Sequence, residues 1–248
     1  MADFLGLIGF GSFLAVSLAV GLRLLWLARR TRRLPELAIG LDLVLAGAVG
    51  YGLLLAAESL RLLPAPYDGW SSFAGVSAIS LGSACLAWFT RRVFRPASLP
   101  ARIAFAALVV WLALGIHGSW VLHVERATAG AGRWLGTWAP NLGLCIAYAW
   151  AAFEPLRYRA RLRRRARVGI ETGDPLATDR MLLWGLGTGA IAAIALLHLA
   201  AQLLGRHELP PSLLSVVSLL ALTAAVSEWL AFFPPRGYTQ RFARAHPG

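Results

Sequence analysis

The sequence predicts an all-α polytopic membrane protein: a bundle of seven transmembrane helices, N-terminus outside and C-terminus cytoplasmic. Three observations predict it. Of 248 residues, 58% are hydrophobic and only 15% charged, whereas a soluble domain carries about 45–50% apolar and about 25% charged residues. The apolar residues fall into seven stretches long enough to cross a bilayer core, for which about 20 residues are needed. All 24 basic residues are arginine, and they gather on alternate links between the stretches, as cytoplasmic loops do.

The stretches lie at 4–28, 35–59, 71–90, 101–123, 134–155, 180–204 and 212–234. The first begins after Asp3 and ends before Arg29 and Arg30, the reverse of the charge order in a cleavable signal peptide, so it is expected to stay in the membrane. Gly40, Gly47, Gly50 and Gly52 mark the second as a packing helix. The third, with Gly75, Ser77, Ser80, Gly82 and Ser83, is the expected central helix. Trp111 stands near the middle of the fourth, where it is a candidate cavity-lining side chain. In the fifth, Pro140 frees a backbone carbonyl and Asn141 is placed to satisfy it. Gly185 and Gly189 give the sixth a small-residue face. Pro234 and Pro235 stop the seventh, and a basic tail follows over 236–248. The chain 1–248 reads as one seven-helix domain, with no soluble module in its links.

Arg29, Arg30, Arg32 and Arg33 follow the first helix, and Arg91, Arg92, Arg95 and Arg102 flank the third link. The fifth link carries an arginine run that includes Arg157, Arg161, Arg164 and Arg165. The opposite side holds only Arg61, Arg126, Arg133 and Arg206. This asymmetry sets the orientation, and it accounts for the net charge of +12 through topology and attraction to anionic lipid head groups. Nucleic acid is not needed as a partner. The 157–167 run is expected either to continue helix five as an amphipathic extension or to dock a cytoplasmic signalling protein. The complete absence of lysine excludes a retinal or pyridoxal Schiff base and a P-loop. Cys85 and Cys145, both inside helices, read as small apolar side chains.

Ionisable residues inside a membrane mark function or locking contacts. Counted at about 1.5 Å per residue, Arg23, Asp42 and Glu228 lie about 8–10 Å below the inner boundary, on helices one, two and seven. In a closed ring of seven these helices are neighbours. The three are expected to form a buried ion-pair cluster, either a structural lock or a protonation switch, unless Arg23 reaches alone to the interface. A second set lies toward the outside: His117 and His123 on helix four, His198 on helix six, and Glu58 at the end of helix two, with His207 and Glu208 beyond. His117 and His198 sit about 24 and 27 Å above the inner ends of their helices. They are candidates for axial haem ligation or, with Glu58, for a divalent metal. No HxxxH or HExxH spacing supports this, and plain hydrogen bonding of these histidines is the competing expectation.

The stretches Arg33-Leu34-Pro35-Glu36, Phe89-Thr90-Arg91-Arg92-Val93-Phe94-Arg95-Pro96 and Arg163-Arg164-Arg165 resemble those of uncharacterised bacterial seven-helix membrane proteins. The topology is similar to that of heptahelical receptors and sensor modules. Helix three lacks their acidic-Arg pair, and Phe-Phe-Pro-Pro-Arg-Gly-Tyr stands where rhodopsin-like receptors have Asn-Pro-x-x-Tyr. This resemblance implies a receptor- or sensor-like protein of the bacterial inner membrane, binding a small apolar or amphipathic ligand and coupling through its basic face. A second expectation is a small-solute or proton-coupled transporter built of three helices, a linker helix and three more. It rests on an aromatic cluster shared by Ala87-Trp88-Phe89 and Glu228-Trp229-Leu230-Ala231-Phe232. A metal- or haem-binding protein is third, and no catalytic motif points to an enzyme.

Overall fold

The computed structural model describes residues 2–127, 129–168, 175–205 and 210–234. Seven helices run through them: α1 (Ala2–Thr31), α2, α3 (Tyr67–Phe94), α4, α5 (Ala131–Arg167), α6 (Pro175–Leu203) and α7 (Pro211–Phe232). Helix α2 is composite. It is α-helical over Leu34–Asp42, π-wound over Leu43–Gly50 and Leu55–Ser59, and makes one α turn between them at Tyr51–Leu54. Helix α4 is α-helical over Leu99–Ser119 and ends in a π-wound turn, Trp120–Val124.

Helix starts follow local chemistry. Pro35 and Pro100 occupy first-turn positions, where the missing N–H leaves no bond unmade. The Ser98 hydroxyl caps α4 by accepting from the Ala101 N–H at 3.3 Å. Six helices are long and apolar enough to cross a membrane, and α5 is the exception. Thr137, Pro140 and Asn141 make α5 less apolar, yet it packs against α3, α4 and α6. A helix enclosed by other helices needs small side chains more than oily ones. It buries Gly136, Ala139, Gly143, Ala147 and Ala151 accordingly. The molecule is a polytopic α-helical membrane bundle.

The packing order corrects one expectation. Successive helices touch from α1 to α7 and α1 closes on α7, but α3 also packs directly on α5. The ring therefore has six members, and α4 lies outside it in the groove between α3 and α5. Along its apolar span 22% of α4 is buried, against 61% of α3. Glycine sets the α4–α5 approach: a Cβ on Gly118 would run into the Gly136 and Leu135 backbone, and one on Gly136 into Gly118.

Helix ends agree with the sequence boundaries to within a turn or so except in α5, which runs on to Arg167. At 37 residues it is about 55 Å long at roughly 1.5 Å per residue, well beyond a core of about 30 Å. The 157–167 arginines thus lie on a helical extension, the first of the two alternatives. The Pro140 break is handled locally: Asn141 Nδ2 donates to the Thr137 carbonyl at 3.5 Å. The Trp111 indole N–H donates to the Ala139 carbonyl at 3.0 Å. The basic tail over 236–248 lies outside the described residues, as do His207 and Glu208.

Candidate functional site

The site is built on α2. Asp42 ends the first α-helical segment and immediately precedes the π-wound stretch Leu43–Gly50. π segments inside α-helices occur disproportionately at functional sites. Gly82 of α3 lies against this point: a Cβ there would come 3.2 Å from the Asp42 carbonyl oxygen and 2.8 Å from Ala46 Cβ. α3 thus packs closely on α2 at this point, and Asp42 is fully buried.

Across the ring, Tyr148 of α5 donates its hydroxyl hydrogen to Asp42 Oδ1 at 2.9 Å. Tyr148 is 2% exposed and stands between Ala147 and Ala151, which face the same interior. Glu228 of α7 is 1% exposed, with its Cγ over Gly187 of α6. Asp42 lies within electrostatic reach of Glu228, Tyr51, Tyr148 and Cys85. Asp42 Oδ2 and Glu228 Oε2 are buried without a hydrogen-bond partner. Asp42 and Tyr148 are thus bonded in the interior, with the buried Glu228 and the half-buried Tyr51 within electrostatic reach of Asp42.

Arg23 is not with them. It is exposed on α1, donates to the Phe232 carbonyl at 3.3 Å, and lays its guanidinium 4.1 Å from the centre of the Phe233 ring. The cause is solvation: a guanidinium near a helix end reaches interfacial carbonyls and ring faces more cheaply than it desolvates in the core. Of the expected triad, the structure brings Asp42 and Glu228 toward one interior and leaves Arg23 at the edge. Charge pairing occurs elsewhere, at Arg95 Nε with Glu154 Oε1, 2.8 Å apart, joining the end of α3 to α5.

The outward-set residues are distributed differently. His123 and Glu58 line one cavity of about 350 Å³ with Asp68, Ser72 and Arg126, at the end away from the arginine-rich links. Arg126 is bonded there to Asp68 at 3.1 Å. His117 is exposed on α4. His198, on α6, has Nδ1 2.9 Å from its own helix's Ile194 carbonyl. Among the described residues no three His, Cys, Asp or Glu side chains group as a metal would require. Arg157, Arg161, Arg164 and Arg165 are exposed along the α5 extension.

Sequence reasoning missed Tyr148, Tyr51, and the Arg95–Glu154 pair. A signal for Tyr148 was present: a phenol flanked by alanines in an apolar helix cannot leave its hydroxyl unbonded in lipid. No protein-family model matches the chain, and no curated protein or solved structure matches it either, so the likeness to heptahelical receptors is one of architecture alone.

Proposed function

We propose that the protein is a proton-coupled membrane protein of the transporter type, in which Asp42 and Glu228 hold and release the proton. The observation that carries this reading is the buried pair itself: two carboxyl groups enclosed by helices, with the expected cation turned away from them. Removing an unneutralised carboxylate from water costs several kcal/mol. A membrane core that keeps two such groups uses them to take up protons, and Tyr148, bonded to Asp42, is placed to stabilise either form. Ionisable chains of this kind mark proton relays in pumps and transporters. Tyr51, Tyr148 and Cys85 are further titratable groups in reach of Asp42.

Orientation in this reading follows the arginine asymmetry, with the Arg-rich end in the cytoplasm of a bacterial cell. A receptor- or sensor-like role is the second reading, favoured by the α5 extension. There Arg157, Arg161, Arg164 and Arg165 offer a projecting basic surface to anionic lipid or to an acidic signalling partner. Among the described residues no third ligand groups with the outer histidines for a divalent metal.

A pH step applied to proteoliposomes on a solid-supported membrane reads proton binding as displaced charge, and needs no knowledge of the solute. Wild-type protein is expected to give a transient current that Asp42→Asn with Glu228→Gln removes. Equal displaced charge in the wild-type and the double variant would overturn the proposal, provided both elute as the same folded species.

A further inference from the structure

The bundle repeats itself. In α1–α2, Gly21 stands against the Gly40 carbonyl and Val44; in α5–α6, Ala152 stands against Gly185 and Gly189. In α2–α3, Gly82 stands against Asp42 and Ala46; in α6–α7, Gly187 stands against Ser227 and Glu228. The interval from Gly40 to Gly82 equals that from Gly185 to Ser227, and the step from Gly40 to Asp42 equals that from Gly185 to Gly187. The same register brings the end of α2 and the start of α3 within a residue of the end of α6 and the start of α7. Ring contacts obey the same exchange: α3 on α5 corresponds to α7 on α1, and α4, outside the ring, is the connector. Helices α1–α3 and α5–α7 therefore repeat the same contacts in the same order, as expected of the parallel repeats from which some transporters are built.

This correspondence explains the acidic pair. Each crossing of a unit's second and third helices bears one carboxyl, but on opposite members. In the first unit it is Asp42 on α2, facing Gly82. In the second it is Glu228 on α7, facing Gly187. Gly82 lets α3 approach the Asp42 backbone, and Gly187 lies against the Glu228 side chain.

The first helices complete the pattern. Tyr148 lies as far before Ala152 as Ser17 lies before Gly21, so Ser17 is the Tyr148 of the first unit. Ser17 is fully buried, packed on Gly47, and its hydroxyl has no partner; Glu228 Oε2 has none either. Their heights agree. Helices α1 and α7 touch at Gly9 with Ser218 and at Arg23 with Phe232. Those two contacts share one offset, which sets Ser17 level with Val226, within a turn of Glu228. An unbonded hydroxyl and an unbonded carboxyl oxygen at one depth in a membrane core are each costly alone.

We propose that Ser17 is the counterpart of Tyr148 and that its hydroxyl bonds the Glu228 carboxyl, giving the bundle two equivalent hydroxyl–carboxyl pairs, one for each acid. Ser17 is thus a positioning residue for Glu228. The pairing deepens the proton-holding reading and rests on it only for what the pairs carry.

Infrared difference spectroscopy on the reconstituted full chain tests the pairing separately from transport. Glu228→Gln and Asp42→Asn each identify one carboxyl band by its loss. Ser17→Ala is expected to shift the Glu228 band to higher frequency and leave the Asp42 band in place, with Tyr148→Phe doing the converse. Ser17→Cys, which keeps the volume and weakens the donor, should shift the same band less. A Glu228 band unmoved in both Ser17 variants, or an Asp42 band moved instead, would overturn the pairing. A pH-step displaced charge equal in the wild type and the Asp42→Asn, Glu228→Gln double variant, with the band shifts intact, would remove only the proton-coupling reading.

Discussion

Single side chains in this bundle differ in weight according to how much water they see. Arg95 and Arg126 each bond one carboxylate, at 2.8 and 3.1 Å. Geometry alone would rank them equal. Glu154 has only 9% of its side chain exposed, however, while Arg126 and Asp68 are 58% and 43% exposed. Truncating Arg95 strands a nearly enclosed carboxylate beside Pro155. Its loss should cost about 1–3 kcal/mol, the range for charged hydrogen bonds, reduced from a fully buried pair because Arg95 is itself partly wetted. Exposed pairs contribute about 0–1 kcal/mol. Unfolding Arg95→Ala and Arg126→Ala side by side in detergent is therefore expected to lower stability clearly in the first and barely in the second. Equal losses would show that enclosure of Glu154 has no energetic consequence.

At the scale of the helix, glycine divides into positions that fit a neighbour and positions that fit nothing. Gly118 and Gly136 each occupy the space where the other's Cβ would stand, so α4 and α5 meet backbone to backbone. Gly11 has nothing within 4 Å of its own Cβ direction. Replacing glycine by alanine within a helix gains about 0.5–1 kcal/mol from backbone entropy where there is room. Gly11→Ala should stabilise by that amount. Gly118→Ala should instead destabilise by about 1–3 kcal/mol, the usual range for overpacking, and peel α4 from the ring. Thermal unfolding in one detergent compares them; a stabilised Gly118→Ala would contradict the close crossing.

This is also the scale at which the sequence was most legible. Lipid demands long, internally bonded apolar segments, so helix number and limits could be read from the chain. Burial direction could not. Asp42 and Arg23 occupy similar depths on adjacent helices, yet one turns inward beside Gly82 and the other outward onto Phe233, a choice made by the facing helices. The π winding after Asp42 left no trace in an apolar run such as Leu43–Gly50. Tyr148 needed its partner's position before its role could be assigned.

For the molecule as a whole, one asymmetry organises the rest. The links at one end of the bundle carry Arg29, Arg30, Arg91, Arg92 and the α5 extension, while the other end holds the cavity between Glu58, Asp68 and His123. Insertion retains arginine on the cytoplasmic side, so this cavity should face outward and the carboxyl pair should lie nearer the cytoplasm. Any proton taken up at Glu228 then has the longer part of its path on the outer side. Ala97, in the α3–α4 link, and Ala127, after α4, stand at opposite ends of this axis. With Cys85 and Cys145 replaced by alanine, a membrane-impermeant thiol reagent is expected to label Ala127→Cys in intact cells. Ala97→Cys should react only after lysis. The opposite pattern would invert the molecule, place the arginine face outside, and leave the α5 extension with no cytoplasmic partner to meet.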